Sequence, residues 1–143
     1  MGKKRIIKKR GGSDASATSR ALARIPKQKV AVGTLNILAT FNNTILTLCD
    51  NKGNTLISAS SGTLGFKGSR KSTPFAAAKV GEIIGDKAVQ MNMKDANVVI
   101  RGIGAGRESA LRGFSSKGVT ITKIADQTPV PHNGPRPPKP RRI

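Results

Sequence analysis

Residues 60–74 read SSGTLGFKGSRKSTP, which has the composition of a surface that holds phosphate. Gly62, Gly65 and Gly68 let a backbone approach a ligand with no Cβ in the way. Lys67, Arg70 and Lys71 supply positive charge, and Ser72, Thr73 and Pro74 read as the start of a helix. A helix start carries N–H groups with no partner inside the helix, and they favour an anion. The alternative is a solvated loop that needs glycine only for its turns. Net charge argues against it.

Two phosphate motifs that this chain approaches are not completed. Counted from Gly62, a nucleotide-binding P-loop needs Gly-Lys at positions 67 and 68, where the chain has Lys67 then Gly68. Gly102-Ile103-Gly104-Ala105-Gly106-Arg107 follows a strand-like run and precedes a helix-like one, but a dinucleotide fingerprint needs glycine where Arg107 stands. A backbone phosphate at that helix start, beside Arg107, is the better reading. Catalysis has little to work with. The single histidine, His132, lies in a proline-rich stretch, no carboxylates pair for acid–base work, and no cluster has metal-ligand spacing. No enzyme activity, cofactor or metal is expected. Asn133-Gly134 is a turn dipeptide and also a sequence prone to succinimide formation, so Asn133 is a candidate deamidation or isoaspartate site.

The charge is large and uneven. The 143 residues hold 26 Lys and Arg against 7 Asp and Glu, a net +19 that opposes compaction unless a polyanion neutralises it. Residues 1–29 hold ten of the basic groups and one acid, and residues 126–143 hold four and one. This pattern points to a basic arm (1–29), a globular middle (30–125) and a basic tail (126–143), with nucleic acid as the partner. Within the arm, Lys3, Lys4, Arg5, Lys8, Lys9 and Arg10 read as a disordered run that orders on a polyanion. The chain has no Trp, no Tyr and four Phe, so stacking platforms for bases are scarce and recognition should lean on phosphates and RNA shape. One cysteine, Cys49, forms no intramolecular disulfide and reads as a buried thiol. No apolar run reaches membrane-spanning length and no signal-peptide core is evident, so no membrane partner is expected. The expected compartment is the cytoplasm, with an organelle interior as the alternative.

The elements that must position the loop are legible in outline. Leu35, Ile37, Ala39 and Phe41 alternate with Asn36, Leu38 and Thr40, a period of two that predicts a strand as far as Phe41; Asn42-Asn43 then turns the chain. Thr44–Cys49 and Thr55–Ala59 read as two further strands of an antiparallel meander. A helix should follow Thr73 as N-cap and Pro74 as first residue, with Ala76, Val80, Ile83, Ile84 and Ala88 as its core stripe. Gly81 and Gly85 weaken that helix by about 1 kcal/mol each and would suit a close approach to the sheet. Asn97–Arg101 reads as a central strand, Ala110, Leu111 and Phe114 as the inner side of a short helix, and Val119–Thr122 as a fifth strand. Strands separated by helices pair in parallel, so the expected fold is α/β with a mixed five-stranded sheet and flanking helices. Six prolines in the last fifteen residues predict an extended tail.

Four segments together resemble the universal small-subunit ribosomal protein eleven family: ATFNNTILTLCDNKGN (39–54), SASSGTLGFKGSRKSTPFAA (58–77), IRGIGAGRESALRGF (100–114) and DQTPVPHNGPRPPKPRRI (126–143). The resemblance implies a fold related to ribonuclease H and to ribosomal protein eighteen of the large subunit. It implies a place on the small-subunit platform, on 16S-type rRNA near the mRNA exit and the Shine–Dalgarno cleft. Small-subunit ribosomal proteins seven and eighteen would be neighbours and initiation factor three would lie nearby; no homo-oligomer is expected. The positions that would contact rRNA are Asn42 and Asn43 in the first turn, and Lys67, Gly68, Arg70, Lys71 and Ser72 in the loop. Arg107 at the second helix would join them, as would His132, Asn133, Arg136, Lys139, Arg141 and Arg142 in the tail. Pro135 and Pro140 stand where family tails carry cysteine and lysine, and GIGAGRE stands for a common GPGPGRE. The rival reading is a packaging protein that binds any duplex by charge, for which the arms alone would suffice.

Overall fold

The computed structural model describes residues 28–139. The arm residues Lys3, Lys4, Arg5, Lys8, Lys9 and Arg10, and Arg141 and Arg142 of the tail, lie outside the described residues. Five strands form one sheet: β1 (Val32–Ala39), β2 (Thr44–Asp50), β3 (Thr55–Ser60), β4 (Asp95–Gly102) and β5 (Thr120–Asp126). Helix α1 (Pro74–Gln90) joins β3 to β4, and α2 (Gly106–Ser115) joins β4 to β5. The sheet order is β3-β2-β1-β4-β5. The meander pairs antiparallel, while β4 and β5 pair in parallel with their neighbours because each is reached by a helical crossover.

Every second residue of β1 and β4 is buried, which puts Leu35, Ile37, Val98 and Ile100 on one face beneath both helices. Val80, Ile84 and Phe114 fill the layer between helices and sheet. The opposite face, with Thr34, Asn36, Thr47 and Val99, stays half-buried. Two readings are corrected and one holds. The first strand ends at Ala39 and leaves Phe41 exposed, because the chain is already turning at Thr40. Strand β4 lies inside the sheet as expected, paired with β1 on one side and β5 on the other. Gly81 and Gly85 approach α2 and not the sheet: a Cβ on Gly81 would overlap the Ala110 carbonyl oxygen, and one on Gly85 would lie 3.0 Å from that of Phe114.

Helix α1 has clear stops at both ends. Thr73 Oγ1 accepts from Ala76 N at 3.3 Å. At the other end Met93 N donates to Ala88 O (3.0 Å) and Asn92 N to Val89 O (2.9 Å), with Asn92 in the left-handed region at φ 60, a Schellman closure. Near that end Lys87 is only 7% exposed, and its Nζ has no hydrogen-bond partner among the described residues. Burial pushes its amine below the usual lysine value of 10.5. The unfolded chain therefore binds more protons than the folded one in the alkaline range up to that value, so stability rises with pH there. Lys87→Met keeps the volume and removes the stranded amine. It is expected to stabilise the domain at neutral pH by about 1–3 kcal/mol, and to flatten the alkaline rise. Thermal melts of both proteins between neutral and alkaline pH check this; an unchanged or lower Tm at neutral pH would refute it.

Candidate nucleic-acid interface

The strand registers align one edge of the sheet. Ala39 of β1 pairs with Thr44 and with Gly102, Ile45 pairs with Ser60, and Ile100 pairs with Asp126. The carboxyl ends of β1, β3, β4 and β5 therefore share that edge with the β1–β2 turn. Both helices start from it, α1 through the loop after Ser60 and α2 four residues after Gly102. Their N-terminal partial charges add to Lys67, Arg70 and Lys71 of the loop. The tail leaves from the same edge after Asp126.

The loop is held at three points. Ser60 N donates to Thr63 Oγ1 (2.9 Å), and Thr63 Oγ1 donates to Ser60 O (2.7 Å). Gly68, at φ 60, opens a short 3-10 turn, Gly68–Ser72, that carries Arg70 and Lys71. Ser72 Oγ donates to Ser69 O (3.0 Å) and Thr73 Oγ1 to Arg70 O (2.7 Å), which closes this turn onto the helix cap. Phe66 and Phe75 meet edge-to-face with centroids 6.2 Å apart and tie the loop to the first turn of α1. Lys67 and Arg70 are exposed and Lys71 is half-buried, its stem lying 3.6 Å from where a Gly62 Cβ would stand. The phenylalanine clasp escaped the sequence reading; two of only four Phe flanking the basic run was the available signal.

In the β1–β2 turn, Thr40 Oγ1 accepts from Asn43 N (3.1 Å), and Asn43 Oδ1 accepts from Thr44 N (3.0 Å). Asn42 is exposed, whereas the side-chain oxygen of Asn43 is used within the turn. Beneath this turn the buried Thr44 hydroxyl packs against Gly106, where a Cβ would overlap it.

Arg107 differs most from expectation. One of its N–H groups donates to Gly102 O at 2.8 Å, and a second pairs with Asp126. It braces the ends of β4 and β5 and retains other donors for a phosphate. Asp126 is the residue at this edge whose part sequence reasoning missed. Its carboxylate accepts from Thr128 Oγ1 (2.6 Å) and Thr128 N (2.9 Å) as well as from Arg107. Thr128 Oγ1 in turn accepts from Gly102 N at 3.2 Å. The Asp-x-Thr spacing at 126–128 is the local signal that a side chain will bond two residues ahead. His132, Asn133, Arg136 and Lys139 are exposed beyond this staple.

The Thr128 hydroxyl and then its N–H, with Arg107 after them, hold the Asp126 carboxyl down to about 2 from 3.8. The folded form thus binds this proton more weakly than the unfolded chain does. The stabilisation is present above pH about 4 and lost as pH falls toward 2. The tail staple is expected to open only in that acid window. NMR titration of the Asp126 carboxyl should show a midpoint near 2; one near 3.8 in the folded protein would refute the staple.

A mixed sheet with two helices on one face and a basic, helix-capped edge defines the class: a small α/β protein that gathers positive charge at one end of its sheet. The chain belongs to the ribosomal protein S11 family, whose characteristic pattern matches residues 33–142, and it is a ribosomal protein, not an enzyme. It is 54% identical over 129 residues to the small ribosomal subunit protein uS11 of Polynucleobacter asymbioticus, covering 90% of this chain and 96% of that one. It is 52% identical over 131 residues to uS11 of Paraburkholderia xenovorans, covering 92% and 97%. With uS11 of Hydrogenovibrio crunogenus it shares 50% over 129 residues, covering 90% and 99%.

Proposed function

We propose that the chain is a structural constituent of the small ribosomal subunit, where its carboxyl edge and basic termini neutralise rRNA phosphates and fix how rRNA segments meet. The observation that carries this is the gathering of the Lys67–Ser72 turn, two helix starts and the stapled tail on one edge, in a member of the ribosomal protein S11 family. Asn42, Asn43, Lys67, Gly68, Arg70, Lys71 and Ser72 form the proposed central contact. Arg107 serves first as a brace and second as a phosphate partner. His132, Asn133, Arg136, Lys139, Arg141 and Arg142 extend the contact along the tail, and Lys3, Lys4, Arg5, Lys8, Lys9 and Arg10 extend it along the arm. The division into arm (1–29), domain (30–125) and tail (126–143) belongs to this reading.

The finer placement follows family resemblance. The site is the platform near the mRNA exit and the Shine–Dalgarno cleft, beside small-subunit proteins seven and eighteen and close to initiation factor three, in cytoplasmic ribosomes. Quantitative mass spectrometry across a sucrose gradient of lysate tests the assignment. Stoichiometric presence in small subunits and whole ribosomes supports it; spread through the gradient, or sedimentation with DNA, refutes it. Deleting residues 1–12 is expected to leave the domain folded and to flatten the salt dependence of rRNA binding. The slope should change by about 0.7–0.9 for every phosphate that the arm no longer neutralises. An unchanged slope would refute the arm's part.

Asn133 is proposed as an isoaspartate site. It is exposed, at φ 55, and precedes Gly134, whose lack of a side chain lets its backbone nitrogen attack the Asn133 side-chain carbonyl carbon; ammonia leaves, and water opens the resulting succinimide to isoaspartate. Peptide mapping with isomer separation should find isoaspartate there; wholly unmodified Asn133 would sink the idea.

A further inference from the structure

On the helix-free face of the sheet, Leu38 of β1 lies in register with Arg101 of β4 at the carboxyl edge. These two residues, with Ile103, Gln127 and Pro129, line an open groove where the tail leaves β5. Leu38 is 42% exposed and Ile103 is 64% exposed, so two aliphatic side chains face water in a chain of net charge +19. Arg101 is held in place, its Nη2 donating to Gln127 Oε1 at 3.0 Å. The opposite wall is fixed too, because Gln127 N donates to Ile100 O (2.9 Å) and Gly102 N to Thr128 Oγ1 (3.2 Å). None of the described residues lining the groove is acidic.

We propose that this groove takes one unpaired nucleobase of the rRNA, with the Arg101 guanidinium against its face and Leu38 and Ile103 against its apolar surface. The proposal rests on the rRNA-binding reading and deepens it from phosphate contact to the capture of a base. Splayed bases in RNA loops stack on guanidinium planes as well as on aromatic rings, which suits a chain with no Trp or Tyr. The groove adjoins the phosphate-binding edge, so a strand whose backbone lies on that edge delivers its bases here. Its apolar side chains, Leu38, Ile103 and Pro129, are too few for a stable protein interface, which buries on the order of 1,000 Å². A fixed guanidinium with a hydrogen-bonding amide beside it also supplies an edge that a base can read.

The test reconstitutes small-subunit particles with the full native chain, with Ile103→Ser and with Arg101→Lys, which keeps the charge and loses the plane. Base-selective chemical probing should show one unpaired nucleotide protected by the native chain and reactive with either variant. Affinity for the rRNA fragment bearing that nucleotide should fall roughly 5- to 150-fold, the range for removing one stacked base. A photoreactive residue in place of Ile103 should cross-link to that nucleotide. Identical base reactivity with native and variant chains, or cross-linking to a neighbouring protein, overturns the groove proposal while a native backbone footprint leaves the phosphate reading standing. If the native chain leaves no backbone footprint on rRNA, both fall together.

Discussion

Replacing Gly81 with valine is expected to cost the domain most of its stability. A Cβ at this position would overlap the Ala110 carbonyl oxygen and lie 3.0 Å from Phe114 N, and both obstacles are backbone of α2. A side-chain neighbour could turn away, but a carbonyl can move only if the two helices separate. Separation would open the layer that Phe114, Val80 and Ile84 fill. Overpacking usually costs about 1–3 kcal/mol, and an immovable obstacle puts this case at or beyond the top of that range. The better helix propensity of a non-glycine residue returns less than about 1 kcal/mol. For a domain of this size each kcal/mol lowers Tm by about 4–8 °C. Gly113→Val should behave alike, since its Cβ would overlap the Ala78 carbonyl oxygen. Gly62→Ala is the control: a Cβ there meets only side-chain atoms at 3.6 and 3.7 Å, so Tm should hardly change. Equal melts for Gly81→Val and Gly62→Ala would refute the helix contact.

The second large effect is on binding. Replacing Lys67, Arg70 and Lys71 together with alanine should leave the fold intact, because none of the three side chains is buried or paired with an acid among the described residues. The backbone of the turn is fixed by Ser72, Thr73 and the Phe66–Phe75 contact, all of which the variant keeps. Its melting curve should match that of the native chain. If each side chain neutralises one phosphate, the slope of log affinity against log salt should flatten by about 0.7–0.9 for each, or about 2–3 in all. Filter binding to small-subunit rRNA across a salt series measures it. A slope unchanged within about 0.5 would mean that the loop is a spacer and that the termini carry the electrostatic attraction.

The contrast between these two predictions follows the division between local and long-range information. Composition and spacing were enough to find the basic run, the Thr73 cap, the meander and both helices, because caps, turns and periodic apolar positions act through neighbours within a few residues. They were also enough to dismiss catalysis and to carry the family resemblance. What escaped were interactions between residues far apart in the chain. Nothing local distinguishes a glycine that meets a sheet from one that meets a helix, so the partner of Gly81 emerged only when α1 and α2 were laid side by side. Asp126 read as the first residue of a tail, yet it closes the end of the sheet by reaching nineteen residues back to Arg107. That pairing turns an arginine read as a phosphate ligand into a brace first. Charge, caps and periodicity are properties of short segments, so the sequence alone determined which pieces form and what they attract. The strand order brought the turn, the loop, the two helix starts and the tail to one edge, and only the tertiary structure decided that, because sheet register joins residues that the chain keeps apart.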